Sequence, residues 1–240
     1  MEWLFEKPIA HRGLHNDKLP ENSMPAFVAA IEKGYNIEID LHLTKDGQVV
    51  IFHDHNLKRV CKTNRDIKIE DLTYAELSQY HLSDTESTIP LLDDLLKIAE
   101  GKVGLLIELK NSNPFSHALE SATIEILKNY KGEFALQSFN PYSMKYIRLH
   151  SDFIVGQLAT YEMKLFAPVG KLWVNQISRP AFVAYDIRQA ENKYVTRWSK
   201  ILPLLVWSIN TPEKLQKAKD IGANNIIFED IEPDFEYKKK

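Results

Sequence analysis

The sequence predicts an α/β fold, a (β/α)8 TIM barrel with a small insertion after the second strand ribbon, and three observations carry that expectation. Short apolar runs alternate with helical patterns along the chain, which indicates parallel strands joined by crossover helices. The length of 240 residues suits a barrel, which needs roughly 250 residues as one domain. Several apolar runs end in ionisable residues, and in a barrel the strand ends gather such side chains around one mouth.

The runs fall at 8–10, 37–43, 49–52, 103–109, 134–136, 153–158, 181–187, 204–209 and 225–228. That is one more than eight strands require. The surplus lies at 49–52, joined to 37–43 by Thr44-Lys45-Asp46-Gly47. Asp-Gly is a hairpin signal, and so short a link cannot make a parallel crossover. The second run therefore folds back on the first as an antiparallel ribbon. With Asp46 and Gly47 as a two-residue turn, Lys45 pairs with Gln48, and Asp40 is expected opposite His53.

The first helix is expected over Met24–Lys33, with Met24, Phe27, Val28 and Ile31 as its apolar stripe. Asn22 or Ser23 caps its start and Gly34 ends it. A longer excursion follows His55 and runs to about residue 100. It holds a capping box, Thr73-Tyr74-Ala75-Glu76, and a second helix start at Ile89-Pro90-Leu91-Leu92. The expected organisation is one domain over 1–240, with a small insertion at about 55–100 that includes the second barrel helix.

Composition narrows the function. Thirty basic and 33 acidic residues are well mixed, for a net charge of -3. No basic stripe points to nucleic acid. The terminal Lys238-Lys239-Lys240 reads as a solvated tail. A single cysteine, Cys61, rules out an internal disulfide framework. No apolar stretch reaches the roughly 20 residues that span a bilayer, and the first ten residues lack the pattern of a signal peptide. The expectation is a soluble cytoplasmic protein without stable membrane insertion; its oligomeric state is not legible.

Polar residues inside the apolar runs point to chemistry. Glu38 and Asp40 are two apart in Ile37-Glu38-Ile39-Asp40, so both side chains face one way. Glu108 and Lys110 share a face in the same manner. One such pair reads as a salt-bridged strand end. Two pairs, with Asp40 opposite a histidine, point instead to carboxylates converging at the mouth. Such a set suits a hard cation, Mg2+ or Ca2+, with Mn2+ as a third candidate. His11 directly follows the first strand and His53 ends the ribbon, where each can move a proton near neutral pH. Arg12 and Lys110 offer cations for a phosphate. His42 shares a face with Asp40 towards the ribbon tip and is expected to be solvated or to support the site. Ser138 lacks the Gly-x-Ser-x-Gly elbow of a serine nucleophile.

Taken in order, His11-Arg12-Gly13, Pro20-Glu21-Asn22-Ser23, Ala26-Phe27, Glu38-x-Asp40, Thr44-x-Asp46-Gly47, His53-Asp54 and Glu108-x-Lys110 resemble the glycerophosphodiester phosphodiesterase family. The match covers the first 110 residues and thins later to Ser138-Phe139 and Val206-Trp207-Ser208-Ile209-Asn210. The resemblance implies a barrel enzyme releasing glycerol 3-phosphate and an alcohol. It implies that Glu38, Asp40 and Glu108 bind one divalent cation and that His11 and His53 are the acid–base pair. Arg12, Lys110 and Trp207 would contact substrate, with Glu21 and Asn22 in support. The chain departs from the family at Phe228-Glu229-Asp230, where a Thr-Asp pair is usual. It departs again after Arg59, where Val60-Cys61-Lys62 replaces a threonine run. Rival readings are a lysophospholipase D or phospholipase-like enzyme on the same fold, a barrel that binds a phosphoester without turnover, and a metal-dependent sugar isomerase.

Overall fold

The computed structural model describes all residues except Ser112, Pro114, 161–169 and 235–240, with the backbone alone for 170–173. Lys238-Lys239-Lys240 lies outside the described residues. The strands are β1 (Ile9–Ala10), β2 (Asn36–Leu43), β3 (Val49–Ile51), β4 (Leu105–Leu109), β5 (Phe134–Ser138), β6 (Val155–Ala159), β7 (Phe182–Asp186), β8 (Leu204–Ile209) and β9 (Asn225–Phe228). They lie in the order β1-β9-β8-β7-β6-β5-β4-β2-β3, and β1 also pairs with β2. That last pairing closes eight parallel strands into a barrel, with β3 antiparallel on β2.

Helices α1 (Met24–Lys33), α3 (Leu92–Ala99), α4 (Ala118–Leu127), α5 (Pro141–His150), α6 (Gly170–Ser178), α7 (Lys193–Trp198) and α8 (Pro212–Asp220) lie between strands. Their start signals are local. Ser23 Oγ accepts from Ala26 N at α1, and Gly34 ends that helix in the left-handed region. Thr211 and Asn140 cap α8 and α5 in the same way.

Alternation along each strand divides the core in two. Outward residues such as Ile37, Ile39, Leu105, Ile107 and Leu136 join the helices in the larger apolar cluster. Inward residues Ile9, Leu106, Ala135, Leu158, Ala184, Leu205 and Ile227 fill the barrel with Phe182, and Leu4 closes its lower end. Polar residues of the same inward rows, Glu38 and Asp40 on β2 and Glu108 on β4, lie nearer the C-terminal ends. The site thus stands on a packed apolar floor.

Between β3 and α3 the excursion forms a third cluster of Val50, Phe52, Leu57, Val60, Ile69, Leu77, Leu82 and Ile89. The capping box at Thr73 opens a single turn, α2 (Tyr74–Leu77). Among the described residues no helix is long and apolar enough to cross a membrane.

The ribbon register differs from the expected one by a residue. Leu43 pairs with Val49 and Leu41 with Ile51, and Phe52 N donates to Asp40 O at 2.9 Å. Asp40 is therefore opposite Phe52, not His53. The cause is a three-residue turn, Lys45-Asp46-Gly47, with Gly47 at φ 81°. Thr44 holds it open: Gln48 N donates to Thr44 Oγ1 at 2.8 Å, and that hydroxyl donates to Asp46 Oδ1 at 2.6 Å. Asp46 Oδ1 also receives Tyr74 N, which ties the turn to α2.

Candidate active site

His11 follows β1, Glu38 and Asp40 come from β2, and Glu108 and Lys110 from the end of β4. Parallel pairing sets Asp40 beside Glu108. Carboxylate oxygens of Glu38, Asp40 and Glu108 lie within 4.8 Å of one another, and all three residues are buried. The sequence reading of a shared face is correct for both pairs, even though the reasoning from the ribbon register was not.

Cations surround this triad. Lys110 Nζ lies 2.8 Å from Glu108 Oε1 and 3.0 Å from Asp40 Oδ1. Arg12 Nε lies 3.4 Å from Asp40, its backbone N donates to Glu38 Oε2, and its Nη1 donates to Glu21 at 2.9 Å. Asn22 Nδ2 donates to Asp40 Oδ2 at 2.9 Å. The backbones of Arg12 and Asn22 are left-handed, at φ 55° and 53°. Such conformations cost about 1–3 kcal/mol each and persist where the surroundings enforce them. Here Asn22 N donates to Arg12 O, so the two strained residues hold each other.

His53 reaches the mouth by a route other than the ladder. The chain leaves the strand after Ile51, and Phe52 goes into the insertion's apolar cluster. His53 Nδ1 lies 2.6 Å from Asp54 Oδ1, and the His53 carbonyl is bound by His42 Nε2 at 3.2 Å. His42 is buried, so its solvated alternative fails and its support of His53 stands. Asp54 is in turn gripped by Arg59 Nε at 2.7 Å, and both terminal nitrogens of Arg59 reach Glu21. A charged chain thus runs from Arg12 through Glu21, Arg59 and Asp54 to His53. His11 has a matching anchor: its Nδ1 lies 2.5 Å from Glu229 Oε2. In both histidines Nδ1 is taken by a carboxylate, and His11 Nε2 lies 4.0 Å from Glu38.

A cavity of about 130 Å3 lies among His11, Arg12, Glu38, His53, Lys110 and Trp207. It shares His53, Glu108, Lys110 and Phe139 with a larger one of about 480 Å3. Phe139 and Trp207 meet edge to face at 5.9 Å and form the apolar side of the smaller cavity. Ser138 is spent on structure: its hydroxyl donates to Leu109 O at 2.7 Å and accepts from Asn140 N.

The charge states fit a cation at the triad. Burial, with the charges of Asp40 and Glu108, pushes Glu38 well above the usual carboxylate range. Burial, opposed by Lys110 and reinforced by Asp40, moves Glu108 up to about 7. Burial also works against Asp40, but Lys110, His53 and Arg12 hold it below that range. Two cations, Arg12 and Lys110, face these three carboxylates, and Arg12 also serves Glu21. Asn22 Oδ1, buried beside Asp40, has no hydrogen-bond partner among the described residues. Three carboxylates and one free amide oxygen are the donors a hard cation takes.

Burial lowers the pKa of both histidines, with carboxylates opposing at each. Every site residue expected from the sequence is brought to this mouth. Sequence reasoning missed Asp54 and Arg59 as anchors and Gln137 as a buried wall of the smaller cavity. The Asp54 signal was present, since it adjoins His53.

Comparison with known proteins agrees with this geometry. A profile of the glycerophosphoryl diester phosphodiesterase family matches residues 11–232. A glycerophosphodiester phosphodiesterase of Caldanaerobacter subterraneus subsp. tengcongensis is 28% identical over 236 residues, covering 93% of this chain and 94% of that protein. The rat lysophospholipase D GDPD1 is 36% identical over 142 residues, which covers 54% of this chain and 43% of the rat protein. Among solved structures, an Oleispira antarctica phosphodiesterase, determined with its product sn-glycerol-3-phosphate, superposes with a TM-score of 0.81 at 23% identity. It covers 95% of this chain and 94% of its own. The glycerophosphodiester phosphodiesterase of Thermotoga maritima gives a TM-score of 0.73 at 27% identity, with 92% of each chain covered. The barrel, its mouth and the profile together establish that the chain belongs to the glycerophosphoryl diester phosphodiesterase family.

Proposed function

We propose that the chain hydrolyses glycerophosphodiesters to glycerol 3-phosphate and an alcohol, with one divalent cation held by Glu38, Asp40 and Glu108. The observation that carries this reading is a pair of carboxylate-anchored histidines set around three crowded, buried carboxylates. Family membership supports the reaction class, and the product bound by the Oleispira antarctica enzyme supports the glycerol phosphate half. A cation at the triad supplies charge neutralisation to a phosphodiester at the mouth.

Arg12 and Lys110 bind the phosphate oxygens and add their own charge where it grows in the transition state. Phe139 and Trp207 pack on the glycerol carbons. One of His11 and His53 takes a proton at Nε2 from the attacking oxygen, which forms the new P–O bond. The other gives its Nε2 proton to the alcohol oxygen as the old P–O bond breaks. The attacker is water, or the glycerol 2-hydroxyl followed by water opening a cyclic phosphate.

The test is an assay of released alcohol and phosphomonoester on glycerophosphocholine, glycerophosphoethanolamine, lysophosphatidylcholine and cyclic glycerol phosphate, with and without EDTA. Turnover of the glycerophosphodiesters should vanish in EDTA and return with Mg2+, Ca2+ or Mn2+. Full activity in excess chelator overturns the cation. The partial similarity to rat lysophospholipase D keeps that second reading in the panel, and preference for the lysolipid would select it.

A further inference from the structure

The carboxylate behind His11 comes from the segment where the chain departs from the family's usual Thr-Asp pair. β1 and β9 are parallel neighbours, with Ala10 beside Phe228. The next residue of each strand therefore meets the other at the mouth, and these are His11 and Glu229. The contact is built from both sides. His11 N donates to Phe228 O at 2.8 Å, and Glu229 N donates to Ile209 O at 3.1 Å. Glu229 Oε2 lies 2.5 Å from His11 Nδ1 and 3.8 Å from His15 Nε2. Its other oxygen receives Asn210 Nδ2 at 3.3 Å, and Asn210 Oδ1 receives Lys214 Nζ at 2.5 Å. Burial opposes charge on Glu229, but its contact with His11 Nδ1 and the nearby His15 ring hold its carboxyl below the usual range.

We propose that Glu229 is a positioning residue for His11: its carboxylate accepts from Nδ1–H, and so leaves Nε2 as the nitrogen free to exchange a proton at the mouth. The arrangement follows a general rule. A histidine whose one nitrogen is tied to a carboxylate has its tautomer and ring angle set for the other. Without Glu229 the neutral ring is free to carry its proton on Nε2, where it blocks the lone pair and faces Glu38. Asp54 stands in the same relation to His53, so the two rings are held alike by carboxylates from different ends of the chain. The inference rests on the reading of His11 as a proton-transfer group.

The test is the Glu229→Gln variant of the full chain, alone and in a His11→Ala background, assayed with each divalent cation supplied. Ring 15N spectra of the same proteins are recorded, with His11 assigned by its loss in His11→Ala. In the wild type the neutral His11 ring should show a protonated Nδ1 and an unprotonated Nε2, and Glu229→Gln should mix the two tautomers. The variant's kcat should fall roughly 10- to 100-fold, the usual loss when such a partner is removed, with KM within about twofold. In the His11→Ala background the second substitution should cost nothing more. Wild-type kcat and ring spectra in Glu229→Gln, with His11→Ala inactive, would overturn the role. Full turnover in His11→Ala would instead remove His11 from the chemistry, while the spectra still decide whether Glu229 sets its tautomer. If Glu229→Gln fails to fold, an Nε2–H tautomer in the wild type is sufficient to reject the idea.

Discussion

His11 and His53 differ in their surroundings although both are held at Nδ1. The His11 side chain is 11% exposed and that of His53 is 31%, so the two face the cavity from its depth and from its rim. Neither belongs to the packed apolar layers. Replacing either with Ala should therefore cut kcat by roughly 100-fold or more while the protein stays folded. Steady-state kinetics beside a thermal melt checks this, and wild-type turnover in either variant would exclude that histidine. Cys61 illustrates the opposite case, a residue whose setting removes its chemistry. Burial raises its thiol from the ordinary 9.0 to about 11. At pH 8 the thiolate is then about 100-fold scarcer than in the unfolded chain. Alkylation by iodoacetamide should be slow in the native protein and fast in urea. The sign for stability follows: a raised folded pKa favours the native state below about 9, and that contribution is lost as pH rises through about 11. Equal alkylation rates in the two states would show that Cys61 is accessible.

Two glycines hold left-handed turns, one at the ribbon tip and one beside the site, and they separate backbone strain from packing. Gly47 closes the ribbon at φ 81° with open space where a Cβ would stand. Gly13 follows Arg12 at φ 82°, and a Cβ there would approach Ala26 and Phe27 of α1 to 3.0 Å. Gly47→Ala should thus cost about 1–2 kcal/mol from the left-handed backbone alone. Gly13→Ala adds a clash with α1, should cost more than Gly47→Ala, and should lower activity because it shifts the His11-Arg12 turn. Urea unfolding and kinetics of the two variants compare them directly. Equal losses would mean that the close packing of this turn on α1 is unimportant.

Across the molecule, the barrel separates its stability from its chemistry. The N-terminal residues cross the lower end, far from the charged mouth. Leu4 is fully buried there among Ile9, Ala135, Phe182 and Ile227. Asn225 Nδ2 fastens the same segment through Leu4 O and Lys7 O, both at 2.7 Å. Gly104 leaves room for the Trp3 ring, which a Cβ would strike at 2.0 Å. Leu4→Ala should cost about 2–5 kcal/mol, the range for a leucine removed from a packed core. Its kcat and KM should stay near wild type at a temperature where it is folded. A large change in KM without loss of stability would show that the floor shapes the site directly.

The sequence by itself determined the periodicities. Alternating strand and helix patterns, the Asp-Gly ribbon, the Thr73 capping box and the Met24–Lys33 helix with its caps are all local, and the structure has each of them. The two-residue spacing of Glu38 with Asp40 placed both on one face, because side chains alternate along a strand wherever that strand lies. Register and partners across the chain were decided by tertiary structure alone. Thr44 and Asp46 choose a three-residue turn over a two-residue one through hydrogen bonds that include α2, and that choice moves Asp40 from His53 to Phe52. The pairing of His11 with Glu229 spans 218 positions. It exists because barrel closure sets the last strand beside the first, and no local pattern encodes which residues meet when a sheet closes on itself.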